Sequence, residues 1–445
     1  MHEDASVSTA ESAYLFRHAL LRDAAYQLQL PGDRARLHAL AFAVIEALAG
    51  GRAPEPVHDG IYDGPFEAHG TDPVAHELAG HACLAQERED PTGTEHGESG
   101  MLDAQKLYLR RAAANFERLY RFEESCSAWL QHSKLVAGRE KGRSLHKAAI
   151  AAHTGGRSGK AEALLLQTLD LARSLGDRRL EGAALGNLAI LFLRTGRLKQ
   201  AEAAQEAALS ALREAGDRRT EGGVLVNLAN LYRNTGRLEL AETTHRRALA
   251  IHREAGNRRE EGVALSNLAN VYTNTGRFEL AEKTHAEALA IHREVGNRPA
   301  MGIALSNLAD AHQQSGQDEL AEREYELALA ILRETGNRRV EGNTLGNLAN
   351  LYRHTGRSGL AERSYNQAIA IHRETMNRSF EGAHLCELAL LQMNLGRREE
   401  ACHAWRAGAA CLREACDNRE LENLTAVMRE SCLKAGVPPL DEARP

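Results

Sequence analysis

Residues 261–278 read EGVALSNLANVYTNTGRF, and closely similar stretches recur along the chain at intervals of 40 residues. The copies align without gaps, and each keeps the triplet Asn-Leu-Ala. Repetition at a fixed period of about 20 to 50 residues is typical of a solenoid, in which each unit packs against its neighbours. Weaker copies surround Gly156 and Gly396. The other strong copies are EGAALGNLAILFLRTGRL from Glu181, EGGVLVNLANLYRNTGRL from Glu221, MGIALSNLADAHQQSGQD from Met301 and EGNTLGNLANLYRHTGRS from Glu341.

Each 40-residue unit predicts two helices. Gly276 is placed to end the first helix of the unit that starts at Glu261, because glycine tolerates the left-handed conformation of a helix C-terminus. A second amphipathic helix follows from Phe278, and Asn297 is placed to cap the next helix. One helix pair buries too little apolar surface to offset its ordering entropy, so the units must stack. The apolar stripe of the first helix has i, i+3, i+4, i+7 spacing and consists of Leu265, Leu268, Ala269 and Tyr272.

The repeat resembles the tetratricopeptide repeat. The positions that carry the resemblance are Leu268, Ala269, Tyr272, Gly276, Ala281, Ala288 and Leu289. The period exceeds the usual length of about 34 residues in this family, and the array is similar to those of kinesin light chain and the Pins-type G-protein modulators. The match is strong over residues 140–421 and weak over 101–139. It implies an all-α fold, a tetratricopeptide-repeat superhelical solenoid of antiparallel helix pairs.

A polar stripe runs beside the apolar stripe on the first helix of each unit. Two explanations are open: a solvated face, or a row of amides that bind an extended peptide, since each amide offers donors and an acceptor. The tetratricopeptide resemblance implies the second, with this face lining a concave groove in which asparagines hold the peptide. The predicted groove residues are Asn187, Asn227, Asn230, Arg233, Asn234, Asn267, Asn270, Asn274, Asn307, Asn347, Asn350 and Arg353.

Three residues depart from the asparagine pattern. Ile190, Asp310 and Glu387 stand where other units have asparagine, so they are left out of the predicted groove. The groove would therefore centre on residues 223–354. Its mixture of arginine and asparagine suits an extended peptide with some acidic character. Arginines in the turns, such as Arg258 and Arg277, are expected to complement helix ends or to pair with nearby glutamates.

The N-terminal region differs from the repeats. The string FRHALLRDAAY, from Phe16 to Tyr26, together with Leu30-Pro31 and Arg36-Leu37-His38, resembles the segment that closes the ATPase module of bacterial signal-transduction NTPases of the STAND/AAA type. In that family a helical region also leads into tetratricopeptide repeats. The predicted organisation is a remnant of such a module over 1–49, a loop-rich linker with a short helix over 50–100, a degenerate helical repeat over 101–141, seven 40-residue units over 142–421, and a capping helix and tail over 422–445.

Enzyme motifs are missing or misplaced in the sequence. The string nearest to a GxxxxGK[ST] phosphate loop, TGGRSGKA over 154–161, lacks the first glycine and the hydroxyl that would bind magnesium. The string HELAGH over 76–81 separates its histidines by five residues, whereas a zinc-protease helix needs a separation of about four. We therefore expect no catalytic site, no metal and no cofactor.

Composition restricts the class of partner. A formal net charge of −6 gives no general attraction to nucleic acid or to an anionic membrane. The sequence shows neither a secretory signal nor an apolar stretch that could span a bilayer, so we expect a cytoplasmic protein. The leading hypothesis is a non-catalytic scaffold that binds a protein or peptide partner. The alternative is the sensor or regulatory half of a bacterial signalling ATPase, kinase or nucleotide cyclase system, separated from its catalytic domains.

Overall fold

The computed structural model describes residues 30–55, 58–59, 62–63, 67–86, 95–415 and 417–441. The ATPase-like string from Phe16 to Tyr26 lies outside these residues. Within the described part, regular structure is helical apart from one pair of two-residue strands, which confirms the all-α fold. The chain divides into two compact units, Met1–Asp217 and Arg218–Pro445.

The first unit begins with helix α1, Pro31–Leu48, and an antiparallel strand pair, β1 (His58–Asp59) and β2 (Tyr62–Asp63). A 3-10 turn, Asp72–Val74, leads into α2, Ala75–Leu84. Arg111 lies on the helix that follows. Its buried guanidinium pairs with Asp72 at 2.7 Å and so joins that helix to the 3-10 turn. The helices that follow are α3 (Glu95–Arg118), α4 (Phe122–Leu135), α5 (Gly138–Thr154), α6 (Ser158–Ser174), α7 (Arg178–Arg194) and α8 (Leu198–Glu214).

The second unit consists of helices throughout its described residues. From Gly138 onward each helix has 17 residues, and a new helix begins every 20 residues in both units. The helices of the second unit are α9 (Arg218–Asn234), α10 (Leu238–Glu254), α11 (Arg258–Asn274), α12 (Phe278–Glu294), α13 (Arg298–Gln314), α14 (Asp318–Glu334), α15 (Arg338–His354), α16 (Ser358–Glu374), α17 (Arg378–Asn394), α18 (Arg398–Glu414) and α19 (Asn418–Lys434).

The helices alternate between two roles. The odd-numbered helices from α5 to α19 begin each repeat and are called A helices here; the even-numbered helices from α6 to α18 are called B helices. Seven A–B pairs span residues 138–414, and α19 is an additional A helix after them. The two helices of each pair pack together through small and apolar side chains. In the pair of α11 and α12, for example, Ala269 and Ala281 are fully buried and Leu265 is 2% exposed. The apolar stripe predicted from the 40-residue repeat therefore forms the core.

The turns form as their sequence predicts. Gly276 has a φ of 71°, and the amide of Arg277 donates to the carbonyl oxygen of Tyr272 at 2.9 Å, which ends α11 in a Schellman motif. Asn297 precedes α13, and its side chain accepts a hydrogen bond from the amide of Ala300. These two caps fix the length of the helices that present the polar stripe.

A recurring ion-pair cluster joins the start of an A helix to the preceding B helix. Glu261 is 3% exposed, and its carboxylate accepts hydrogen bonds from Arg253 at 2.8 Å and from Arg258 at 2.7 Å. Burial alone would raise the pKa of Glu261, but the two arginines outweigh burial and the pKa is lowered. Arg258 also reaches Glu294, and Arg277 pairs with Glu242. The turn arginines therefore pair with glutamates, as the sequence predicts.

Candidate functional site

The twelve predicted groove residues all lie on A helices. Asn187 is on α7 in the first unit, and the other eleven are in the second unit, on α9, α11, α13 and α15. Asn234 and Asn274, at the C-terminal ends of their helices, are exposed, and the remaining ten are half-buried. We call the eleven residues of the second unit the amide face.

The A helices of the second unit form a closely packed layer. Each A helix from α9 to α17 contacts the next A helix, whereas successive B helices between residues 238 and 414 approach one another less closely. Residues on the facing sides of neighbouring A helices can therefore meet, and among the described residues hydrogen bonds of the polar stripe join α13 to α15 and α15 to α17.

The first place joins α13 to α15. The side-chain amide of Asn347 donates to Asp310 Oδ1 at 2.9 Å, and the hydroxyl of Tyr325 on α14 donates to the same oxygen at 2.5 Å. Burial raises the pKa of Asp310 to about 6, although these two hydrogen bonds act in the opposite direction. Asp310 is therefore an internal acceptor at a position where other units have asparagine.

The second place joins α15 to α17. Asn350 donates to Glu387 Oε1 at 3.0 Å, and its own oxygen accepts from the hydroxyl of Tyr365 at 2.6 Å and from Arg353 at 3.3 Å. Burial would raise the pKa of Glu387, but hydrogen bonds from His384 and Asn350 and the charge of Arg353 outweigh it, and the pKa is lowered. Asn350 is therefore hydrogen-bonded within the chain to both Arg353 and Glu387.

The rest of the amide face lacks such bonds. The side chains of Asn227, Asn267, Asn270 and Asn307 make no hydrogen bond with any described residue, although all four are half-buried. Asn230 Oδ1 is buried, and within the described residues it too has no partner. In the first unit, by contrast, Asn187 Nδ2 lies 2.8 Å from His146 Nε2. The structure thus separates a stretch with free amides, over residues 227–307, from positions whose amides bond within the chain.

Sequence reasoning missed the residues that complete these bonds. Asp310 and Glu387 were left out of the groove because they break the asparagine pattern, yet they accept hydrogen bonds from Asn347 and Asn350. A second missed set lies on the B helices of the second unit, one residue per helix at 40-residue intervals. Its members are nearly or fully buried, and they are His245, His285, Tyr325, Tyr365 and Trp405. The signal available in the sequence was this 40-residue interval.

The two enzyme-like strings occupy ordinary structural positions. TGGRSGKA forms the end of α5, the turn after it and the start of α6. In the HELAGH string, His81 Nδ1 lies 2.8 Å from His38 Nδ1 of α1. Over the described ranges, no group of three or more His, Cys, Asp or Glu side chains is arranged to hold a metal ion. Nor does any helix there have the length and apolar character needed to cross a membrane.

Comparison with known proteins identifies the repeat. A family model described as tetratricopeptide repeat matches residues 140–214, 221–294, 260–334 and 300–374, which together make up more than half of the chain. The chain belongs to the tetratricopeptide repeat family. Tetratricopeptide arrays serve protein–protein interaction, and their stacked units present extended binding surfaces. No curated protein matches this tetratricopeptide repeat protein.

Solved structures with a similar fold include two signalling proteins. A STAND signal transduction ATPase with a tetratricopeptide repeat sensor, from Pyrococcus horikoshii, aligns with a TM-score of 0.53 and 16% identity over 80% of this chain and 55% of that chain. This chain therefore spans about half the length of that ATPase. A Rap protein complexed with competence and sporulation factor aligns with a TM-score of 0.51 and 14% identity over 76% of this chain and 99% of that chain. At these identities the similarity shows the fold alone.

A shorter similarity involves a third repeat protein. A protein described as a kinesin light chain with nearly identical TPR-like repeats, from Podospora anserina, aligns with a TM-score of 0.38 and 21% identity over 44% of this chain and 96% of that chain. The kinesin light chain and STAND resemblances of the sequence thus each have a counterpart among the solved structures. The TM-score of this third match is too low to support any argument about function.

Proposed function

We propose that the chain is a non-catalytic interaction protein that binds an extended segment of a partner protein on its amide face. The observation that carries the proposal is the row of half-buried amides at Asn227, Asn267 and Asn307, which make no hydrogen bond with the described residues. Polar groups that are partly shielded from water usually have a partner, and a peptide backbone supplies both donors and acceptors. An extended strand laid across the A helices would meet one such amide in each unit.

Packing supports the same face. A layer whose helices lie closer together occupies the inner side of a bend, and in the second unit this layer is formed by the A helices. Asparagine is also a poor helix former, at a cost of about 0.7 kcal/mol relative to alanine, so its repetition in mid-helix suits a binding role better than a stabilising one. The Rap protein with a similar fold was solved in complex with competence and sporulation factor.

The test uses peptides selected on the purified full-length chain from a random synthetic library. We expect Asn227→Ala, Asn267→Ala and Asn307→Ala, combined in one variant, to weaken the selected peptide at least about tenfold, because each net hydrogen bond contributes about 0.5–1.5 kcal/mol. The matched control combines Thr243→Ala, Asn366→Ala and Gln367→Ala, which remove exposed polar side chains from B helices. Equal affinities for the two triple variants would refute the proposal.

A second candidate function is that of a sensor for a signalling ATPase, kinase or cyclase. The observation that favours it is the similarity to the STAND ATPase, whose alignment covers 80% of this chain. The seven A–B pairs make up a smaller share of the chain, so the similarity extends beyond them. On this hypothesis, affinity capture from the source cells would recover a protein with a GxxxxGK[ST] phosphate loop, and the triple asparagine variant would lose it. Recovery of that protein by both variants would place its binding site elsewhere.

A further inference from the structure

Arg233 on α9 is a cation without an anionic partner. Its side chain is half-buried, and in the described part of the chain no carboxylate lies within ion-pair distance and no acceptor takes a hydrogen bond from its guanidinium. Burial lowers its pKa, and no neighbouring charge offsets that effect. The turn arginines differ, since Arg218 pairs with Glu221 and Glu254 in the same repeat. Leaving a partly desolvated guanidinium unpaired costs folding free energy, so its retention needs an explanation.

One group beside Arg233, a buried histidine, also lacks hydrogen-bond partners in the described chain. His245 on α10 is fully buried, and neither of its ring nitrogens has a hydrogen-bond partner among the described residues. Burial, together with the positive charge of Arg233, lowers the pKa of His245 to about 3, so the imidazole is neutral at physiological pH. At the same position of later repeats, Tyr325 donates to Asp310 and Tyr365 donates to Asn350. His285, at the same position of the next repeat, likewise lacks hydrogen-bond partners among the described residues, so the bonds that Tyr325 and Tyr365 make are missing from both earlier repeats.

The equivalent arginine three repeats later is not free. Arg353 donates to Asn350 at 3.3 Å, and its charge contributes to the lowered pKa of Glu387. The two intervening repeats have Thr273 and Gln313 at this position, which carry no charge. Among the twelve predicted groove residues, Arg233 is thus the single charged side chain without a partner in the described chain. An anionic group of a bound partner could pair with the Arg233 guanidinium at this one place along the amide face.

We propose that Arg233 binds the side-chain carboxylate of one aspartate or glutamate in the bound segment, so that the amide face selects an acidic residue at a fixed position. This inference rests on the proposed function and specifies the partner. A guanidinium can hold a carboxylate through two parallel hydrogen bonds, which gives geometric selectivity as well as charge.

The position of Arg233 on its helix favours a side chain over a backbone terminus. Asn227 and Asn230 lie in the middle of α9, whereas Arg233 is the penultimate residue. Six residues of helix separate Asn227 from Arg233, which is about 9 Å along the helix axis. A backbone that crosses the A helices along the mid-helix amides would therefore pass to one side of the guanidinium. A side chain projecting from that backbone would reach it.

The test begins with peptides selected on the full-length chain from a random library with amidated C-termini, which have no terminal carboxylate. We expect one aspartate or glutamate to dominate a single position. For the selected peptide, replacing that acid by its amide should weaken binding to the wild type about tenfold or more. Arg233→Gln should weaken the acidic peptide by a similar factor and leave the affinity for the amide form nearly unchanged. Arg233→Lys, which keeps the charge, should preserve part of the preference for the acid.

The control variant is Arg247→Gln, which removes an exposed arginine from α10 and should leave both affinities within about twofold, because a solvated charge contributes little. Two results would overturn the proposal. The first is that the Arg233→Gln variant still prefers the acidic peptide to its amide form as strongly as the wild type does. The second is that peptides can be selected only from a library with free C-termini. The triple asparagine variant separates this failure from failure of the proposed function. It should weaken the acidic and amide peptides alike, and if it binds both normally the amide face itself is the wrong site.

Discussion

Asn347 on α15 and Asp310 on α13 are joined by a hydrogen bond of 2.9 Å between adjacent A helices. The residues are 37 positions apart, so the bond links the first polar position of one repeat to the second polar position of the preceding repeat. Asn350 and Glu387 repeat the arrangement one unit later at 3.0 Å. The stripe of amides thus joins repeats near residues 310–387, whereas over residues 227–307 its side chains make no hydrogen bond with the described residues.

Because of this division, two alanine substitutions of the same residue type should have opposite effects on stability. Asn267→Ala should raise the free energy of unfolding by about 0.5 kcal/mol, because alanine is the better helix former and Asn267 makes no hydrogen bond with the described residues. Asn347→Ala should lower it by about 1–2 kcal/mol, because Asp310 loses a hydrogen bond to its carboxylate. Urea denaturation measured for both variants checks this, and shifts of the same sign would show that the amides do not differ.

Asp310 should make stability depend on pH between about 4 and 6. Burial raises its pKa from 3.8 to about 6 in the folded protein. The folded chain therefore holds a proton in this range that the unfolded chain has released, so stability falls as the pH rises through the window and then stays constant. Asp310→Asn removes this loss and should stabilise the protein by about 1–3 kcal/mol at pH 7, with little gain near pH 4. If Asp310→Asn stabilised the protein equally at pH 4 and pH 7, burial would not raise the pKa of Asp310.

Glu261 should have the opposite pH dependence. Its pKa is lowered in the folded protein, so its contribution is present above the ordinary glutamate pKa and is lost as the pH falls below about 4.5. Glu261→Gln should cost about 1–3 kcal/mol near neutral pH, because hydrogen bonds from Arg253 and Arg258 lose the charge that strengthens them. The control is Glu287→Gln, at an exposed carboxylate that contacts Arg253, with an expected cost below about 0.5 kcal/mol. Unfolding midpoints at pH 7 and pH 4 distinguish the two sites.

Two adjacent glycines on α9 should respond differently to alanine. A methyl group at Gly222 would lie 2.6 Å from Cε1 of the buried His252, so Gly222→Ala should cost about 1–3 kcal/mol through overpacking of the A–B contact. A methyl group at Gly223 would meet no heavy atom within 4 Å, so Gly223→Ala should stabilise the helix by about 0.5–1 kcal/mol. Thermal unfolding of the two variants provides the comparison. Equal melting temperatures would mean that His252 moves aside without cost.

The repeat architecture could be predicted from sequence because its signals are local. The stripe from Leu265 to Tyr272 and the turn at Gly276 depend on neighbours within one unit, and the structure has both. The bonds across units could not be predicted, because they depend on the relative placement of two A helices. The asparagine pattern therefore excluded Asp310 and Glu387 from the predicted groove. It also could not show that Arg233 has no anionic partner among the described residues.

Binding on the amide face can be tested directly by mapping where a selected peptide lies on the chain. A photoreactive benzoylphenylalanine is placed at successive positions of the peptide, and the crosslinked residues of the full-length chain are identified by mass spectrometry. We expect crosslinks on α9, α11 and α13, beside Asn227, Asn267 and Asn307. Crosslinks confined to B helices, or to the first unit, would contradict binding on the amide face.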